Sequence, residues 1–527
     1  MKASLPTAAL TVALLGCATA PISRPPSGAP TPGVSSGVRF TRATMARSID
    51  SMVNDPQFRS ATWGILIVDP VGNDTLYSHN ATKLLIPASN QKLVVSSVML
   101  EKLGPQYRYR TVVAARGAIV EGTLQGDVAV IGRGDPTASN HMKGDAMTPL
   151  REMADSLWQR GVRRITGRVV AAGNAFPGPV AGAGWPWDGL DGNSYAGVDE
   201  LLFNEGLSQI RVRAGARVSN AAIVETAPSK TFPPVRVAAV TVARDSNVVT
   251  EAGRGGSGGR GGGRGGRGGS GTRLTVHHDT GTTTVVVSGN IVLGDSTTLT
   301  IAQHDPDVAY VSALTEALRD KGITVDNTGA EAAAEAKTDS LFTMESVPLS
   351  DILPNILKPS QNQIAEIFLR TLGLEGTGIG TAESGRTVIQ QQFDAWKIPS
   401  DGYIVRDGSG LSRSDLVSPE AIISILETMR RSPNFKLFYE SLPIAGVDGT
   451  IRTRMQNTAA QGNLHAKTGT LSMVRSLSGY VTTADGRLLE FSMLCNNWTT
   501  PQAAVDKLQD TIGAALAEMR ESGATRH

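Results

Sequence analysis

Three short polar motifs stand in one order along this chain: Ser89-Asn90-Gln91-Lys92, then Ser360-Gln361-Asn362, then Lys467-Thr468-Gly469. Their spacing constrains the fold more than any other feature. If the three act together, the two ends of the chain must meet in one body. The long stretch between Lys92 and Ser360 must then be packed around it. Local patterns agree. Trp63 to Asp69 reads as a strand, Pro70 to Asp74 supplies turn residues, and Thr75 to Ser78 returns as a hairpin partner. Near the other end, Leu464 to Leu471, Ser476 to Thr482 and Arg487 to Cys495 read as successive strands, and Gln502 to Glu521 as a closing helix. Together they predict an α+β fold: one five-stranded antiparallel sheet flanked by helices and assembled from both chain ends.

The motifs carry a coherent chemistry. Ser89 precedes an apolar run from Leu93 to Leu103 that is closed by Gly104-Pro105, the expected stop of a helix. That helix is apolar around most of its circumference, so it should be buried. Ser89 and Lys92, three apart, then share one face at its N-terminus. A serine hydroxyl needs a base, and Lys92 can serve only if its amine is neutral. Burial and a second cation, Lys467, would both promote that state. Ser360 and Asn362 follow Pro359 at a bend between helices, where a hydroxyl and an amide can face a cleft. The competing reading is that Ser360 merely caps the next helix. Lys467 and Thr468, on an edge-type strand, can bind a carboxylate, and Gly469 lets a substrate backbone approach. The N–H groups of Ser89 and Thr470 are the natural oxyanion pair.

Composition sets the remaining bounds. At 527 residues the chain calls for more than one core. Its 50 Lys and Arg nearly balance 48 Asp and Glu, which gives no global field for nucleic acid. The seven histidines show no H-E-x-x-H spacing, which speaks against a metallopeptidase; no metal or cofactor is expected. His465 reads as a strand residue and Cys495, in an apolar run, as core filling. The N-terminus reads as an export signal. Lys2, a short apolar stretch and Leu14-Leu15-Gly16-Cys17 resemble a bacterial lipobox, with lipid on Cys17 anchoring the protein to a membrane. Residues 1–17 are the signal, and 18–44 form a Pro/Ser/Gly-rich tether. Residues 107–344 read as an inserted β-rich region. Within it, 253–271 forms a Gly/Arg-rich loop that could bind RNA elsewhere but has no such role in an exported chain.

The three motifs, in this order, are those of penicillin-binding proteins and class A β-lactamases. With Pro87 to Leu93, Pro359 to Leu369 and His465 to Leu471, the chain resembles the low-molecular-mass class C penicillin-binding proteins, the D-alanyl-D-alanine carboxypeptidases/endopeptidases. Asp407-Gly408-Ser409-Gly410-Leu411-Ser412 and Gly446-Val447-Asp448-Gly449-Thr450 extend the likeness, as does the long insertion. Gln361 departs from the family's usual Asn or Asp; its side chain is not expected to contact substrate. The resemblance implies a serine DD-peptidase domain at 45–106 and 345–522 with a penicillin-binding-protein/β-lactamase-like fold. It implies attack by Ser89 on peptidoglycan stem peptides, a periplasmic or cell-envelope location, and acylation by β-lactams. A β-lactamase would instead turn drug over rapidly, and a non-catalytic wall- or β-lactam-binding protein would keep the pocket without releasing D-alanine.

Overall fold

The computed structural model describes residues 41–244, 271–327 and 338–520. Cys17, the signal, the tether up to residue 40 and the Gly/Arg-rich loop up to residue 270 lie outside the described residues.

Both chain ends build one antiparallel sheet. From one edge its order is His465–Leu471, Val474–Thr482, Leu488–Asn496, Thr62–Asp69 and Asp74–His79. Thr62–Asp69 joins the N-terminal hairpin to the C-terminal strands, with Thr62 opposite Asn496 and Val68 opposite Glu490. Because side chains alternate across a strand, neighbouring residues enter different cores. Ile65, Ile67, Phe491 and Met493 face a core shared with the helix Gln502–Glu518. Leu66 and Leu494 face the other, shared with the helix Gln91–Leu103. That second helix is buried at every position from Gln91 to Leu100 and ends at Gly104, whose φ of 76° suits a residue without a side chain.

The chain leaves this body and returns to it side by side, since Arg110–Arg116 pairs antiparallel with Asp339–Glu345. Asp127–Ile131 and Val169–Ala171 widen that sheet. The intervening region carries helix as well as strand. Thr148–Gln159 buries Leu150, Met153, Ala154 and Leu157, a helical spacing that the frequent Gly and Pro nearby obscure in the sequence. It shares a core with the helix Pro306–Lys321. Farther along, two three-stranded sheets, one around Leu207–Arg213 and one around Val285–Val292, enclose Ile210, Val212, Val287 and Ile301. Between these layers, residues 172–206 run with little regular structure back towards the first body.

Candidate active site

Ser89 lies in the 3-10 turn Ala88–Asn90 that leads into Gln91–Leu103. The turn is strained: Ala88 has φ 47°, a conformation that costs a non-glycine residue about 1–3 kcal/mol. Surrounding contacts hold it there. The Ser476 hydroxyl donates to the Pro87 carbonyl (2.7 Å), and the Asn90 amide donates to Ser478 Oγ (2.7 Å). Gly410 presses on the same turn, where an added Cβ would lie 1.9 Å from the Ala88 carbonyl oxygen.

Lys92 is fully buried. Its Nζ contacts Ser89 Oγ (3.1 Å), Asn362 Oδ1 (2.7 Å) and the Ser409 carbonyl (2.7 Å). Burial lowers its pKa to about 7, against an opposing pull from Asp407, Glu366 and Asp415. These carboxylates also build the loop that supplies the Ser409 carbonyl. Glu366 accepts the N–H groups of Gly408 (3.1 Å) and Ser409 (2.8 Å). Asp407 accepts from the N–H groups of Gly410 and Ser412. Burial raises Glu366 to about 7, with Asp407 adding to it, and raises Asp415 well above the usual carboxylate range.

Ser360 stands at the bend between the helices Leu349–Leu357 and Asn362–Thr377, with φ 65°. Capping falls to Gln361, whose side chain accepts from the Gln363 N–H (2.8 Å) and donates to Glu205 (2.8 Å). The Ser360 hydroxyl instead accepts from Lys467 Nζ at 2.8 Å.

Lys467 is likewise fully buried, and its Nζ also donates to the Thr468 carbonyl (2.8 Å). Burial pushes its pKa far down, helped by repulsion from Lys92 and Arg475. The two buried amines repel each other, so each favours the neutral form of the other. Thr468 Oγ1 lies 2.7 Å from Thr450 Oγ1, and Thr470 is exposed on the edge strand, its hydroxyl bonded by Arg475. A Cβ on Gly469 would meet Ser476 Oγ at 2.1 Å and the Pro87 carbonyl at 2.4 Å. The missing side chain thus lets this strand pass close against the Ser89 turn. His465 is occupied elsewhere on the strand, stacked on Tyr439 with centroids 3.9 Å apart, and the Cys495 thiol is buried in the core.

The structure also brings to the site residues that sequence reasoning missed. Asn362 Nδ2 and Gln363 donate to the Ser194 carbonyl, Trp185 Nε1 donates to Asp407 (2.9 Å), and Arg370 donates to the Pro179 carbonyl. Residues 172–206 therefore form one wall of the site. Glu366 carried a sequence signal of its own, a lone carboxylate within the apolar run Ile364 to Leu369.

Among known proteins, the chain is 31% identical over 493 residues to a D-alanyl-D-alanine carboxypeptidase of Actinomadura sp. (strain R39), covering 92% of this chain and 86% of that one. A D-alanyl-D-alanine carboxypeptidase of Haemophilus influenzae is 26% identical over 81% of this chain and 84% of its own length. The crystal structure of penicillin binding protein 4 from H. influenzae superposes with a TM-score of 0.73 at 23% identity, over 89% of this chain and 99% of that one. A second structure of that protein, complexed with a β-lactam, gives a TM-score of 0.67 at 22% identity, over 88% and 98%. The sequence profile of the D-Ala-D-Ala carboxypeptidase 3 (S13) family matches residues 45–254 and 266–519. This chain belongs to the D-Ala-D-Ala carboxypeptidase 3 (S13) family.

Proposed function

We propose that Ser89, Lys92, Ser360, Asn362 and Lys467 together perform acyl transfer from the penultimate D-alanine of peptidoglycan stem peptides. The protein is a serine-type D-alanyl-D-alanine carboxypeptidase/endopeptidase. The observation that carries the residue roles is the fully buried Lys92 amine, 3.1 Å from Ser89 Oγ, with a pKa near 7. A protonated amine would donate to all three of its contacts, whereas a neutral one donates to two and offers a lone pair to the third. The two shorter contacts go to pure acceptors, the Asn362 and Ser409 oxygens. The lone pair then faces Ser89 Oγ, which donates its proton as it attacks.

Attack forms a C–O bond between Ser89 Oγ and the D-alanyl carbonyl carbon, with the oxyanion held by the N–H groups of Ser89 and Thr470. Ser360, bonded to Lys467, relays the proton that Lys92 took from Ser89 to the leaving amine, and the C–N bond breaks, leaving Lys92 neutral again. Water then hydrolyses the acyl-enzyme, with Lys92 again the base. The terminal carboxylate of the substrate binds at Lys467 and Thr468. Cleavage of a cross-link is the same step with a larger leaving amine, and a β-lactam acylates Ser89 as an analogue. Export, a periplasmic site of action and a lipid anchor at Cys17 complete the reading; the Leu14-Leu15-Gly16-Cys17 pattern supports them.

Digestion of purified monomeric and cross-linked muropeptides with mass analysis of the products tests the assignment. The expected products lack one terminal D-alanine or one cross-link. Intact muropeptides beside rapid β-lactam turnover would overturn the peptidase reading in favour of a β-lactamase.

A further inference from the structure

Asp191, His278 and His304 meet at one point although they come from three separate segments. Asp191 lies between the short turns Trp187–Gly189 and Asn193–Tyr195 of the wall segment, and its carbonyl accepts the Ala302 N–H (3.2 Å). His278 ends the strand Arg273–His278, and His304 follows the strand Ser296–Ala302. Asp191 Oδ1 is 2.7 Å from His278 Nδ1 and 2.9 Å from His304 Nε2, and the two imidazoles stack with centroids 3.8 Å apart. The cluster lines a cleft of about 560 Å³ that also exposes Asp279 and Asp305.

Hydrogen bonding explains only half of this arrangement. His278 Nδ1 is bonded to the carboxylate, but His304 Nε2, although 2.9 Å away and buried, is not aligned to donate to it or to any other group among the described residues. A buried polar atom without a partner calls for an explanation, and a bound ion is one. Asp191 Oδ1 stands at hydrogen-bond distance from both imidazole nitrogens; an ion held by all three at about 2.0–2.1 Å widens these separations to about 3.3 Å and turns the stacked rings apart.

We propose that Asp191, His278 and His304 bind a divalent zinc ion, with the fourth position open to the cleft. Two imidazoles and one carboxylate form a borderline donor set that suits Zn²⁺ over Mg²⁺ or Ca²⁺, which prefer all-oxygen shells. The ion ties the wall segment to two strands of the insertion. Asp191 stands three positions before Ser194, whose carbonyl accepts from Asn362 in the active site. The ion is a staple for that wall and takes no part in acyl transfer.

Calorimetric titration of the full chain, stripped with a chelator and then given Zn²⁺ alone, tests the site. One equivalent is expected to bind, His278→Ala and His304→Ala each weakening it at least about tenfold and the double variant abolishing it. Ser89→Ala should bind like the parent. Near-UV circular dichroism checks that the variants fold. Should they not, Co²⁺ added to the unmutated chain gives a second readout, the visible d–d bands of a low-coordinate site. Equal Zn²⁺ uptake by the folded double variant, no uptake by the parent chain at micromolar concentration, or colourless Co²⁺ binding would each overturn the proposal.

Discussion

The surroundings of Lys92 and of Lys467 differ although both amines are fully buried and repel each other. Lys92 faces Asp407, Glu366 and Asp415, which offset much of the cost of burying a charge and leave its pKa near 7. Lys467 faces Lys92 and Arg475, and burial with their repulsion pushes its pKa well below the usual lysine value. In the proposed mechanism one amine accepts and returns a proton at neutral pH. The other gains most when an anion arrives, and the terminal carboxylate of a peptide or a β-lactam is such an anion. The proposal thus gives two residues of one type different tasks through their neighbours.

Four substitutions probe that contrast. Ser89→Ala removes the proposed nucleophile; D-alanine release and fluorescent-penicillin labelling should fall by on the order of 10⁶-fold, and release that persists would remove Ser89 from the reaction. Lys92→Met keeps the volume and removes the base, for an expected loss of about 10²–10⁴-fold in acylation rate measured by stopped flow. Lys467→Ala should weaken carboxylate-terminated substrates by about 10–100-fold more than their amides, in kcat/KM. An equal loss on both would show that the second lysine recognises no anion. Glu366→Gln is the mildest. The amide oxygen can still accept from Gly408 and Ser409, but one charge that favours protonated Lys92 is gone. The Lys92 pKa should fall, and the acidic limb of the pH profile should move towards lower pH by less than about one unit, since Glu366 near 7 carries only part of its charge there. A shift in the opposite direction would mean that Glu366 does not act on Lys92 through its charge.

The sheet and the motif helix were readable in the sequence because their periodicities are strong. Ile65, Leu66 and Ile67 alternate between two cores, and Leu93 to Leu100 is apolar all round. Local chemistry likewise located Ser89, Lys92, Ser360, Asn362 and Lys467 before the fold placed their side chains together. What escaped the sequence depends on long-range packing. Asp407-Gly408-Ser409-Gly410 belongs to the family likeness, yet nothing local shows that it delivers a carbonyl to Lys92. Gln361 shows no local sign that its side chain caps its helix and holds Glu205. The approach of Ser194 and Trp185 to the site, and the meeting of Asp191 with His278 and His304, join residues whose separation in sequence no local pattern bridges.

The pH dependence of Ser89 acylation by benzylpenicillin tests the central claim most directly, because it reads the protonation of Lys92 in the folded protein. Protonated below its pKa, Lys92 cannot accept the serine proton; neutral above it, it can. The rate should therefore rise with pH, with a midpoint near 7, and level off at mildly alkaline pH. A rate that stays flat from about pH 5 to 9, or that rises only near the pKa of an ordinary lysine at about 10.4, would contradict the account.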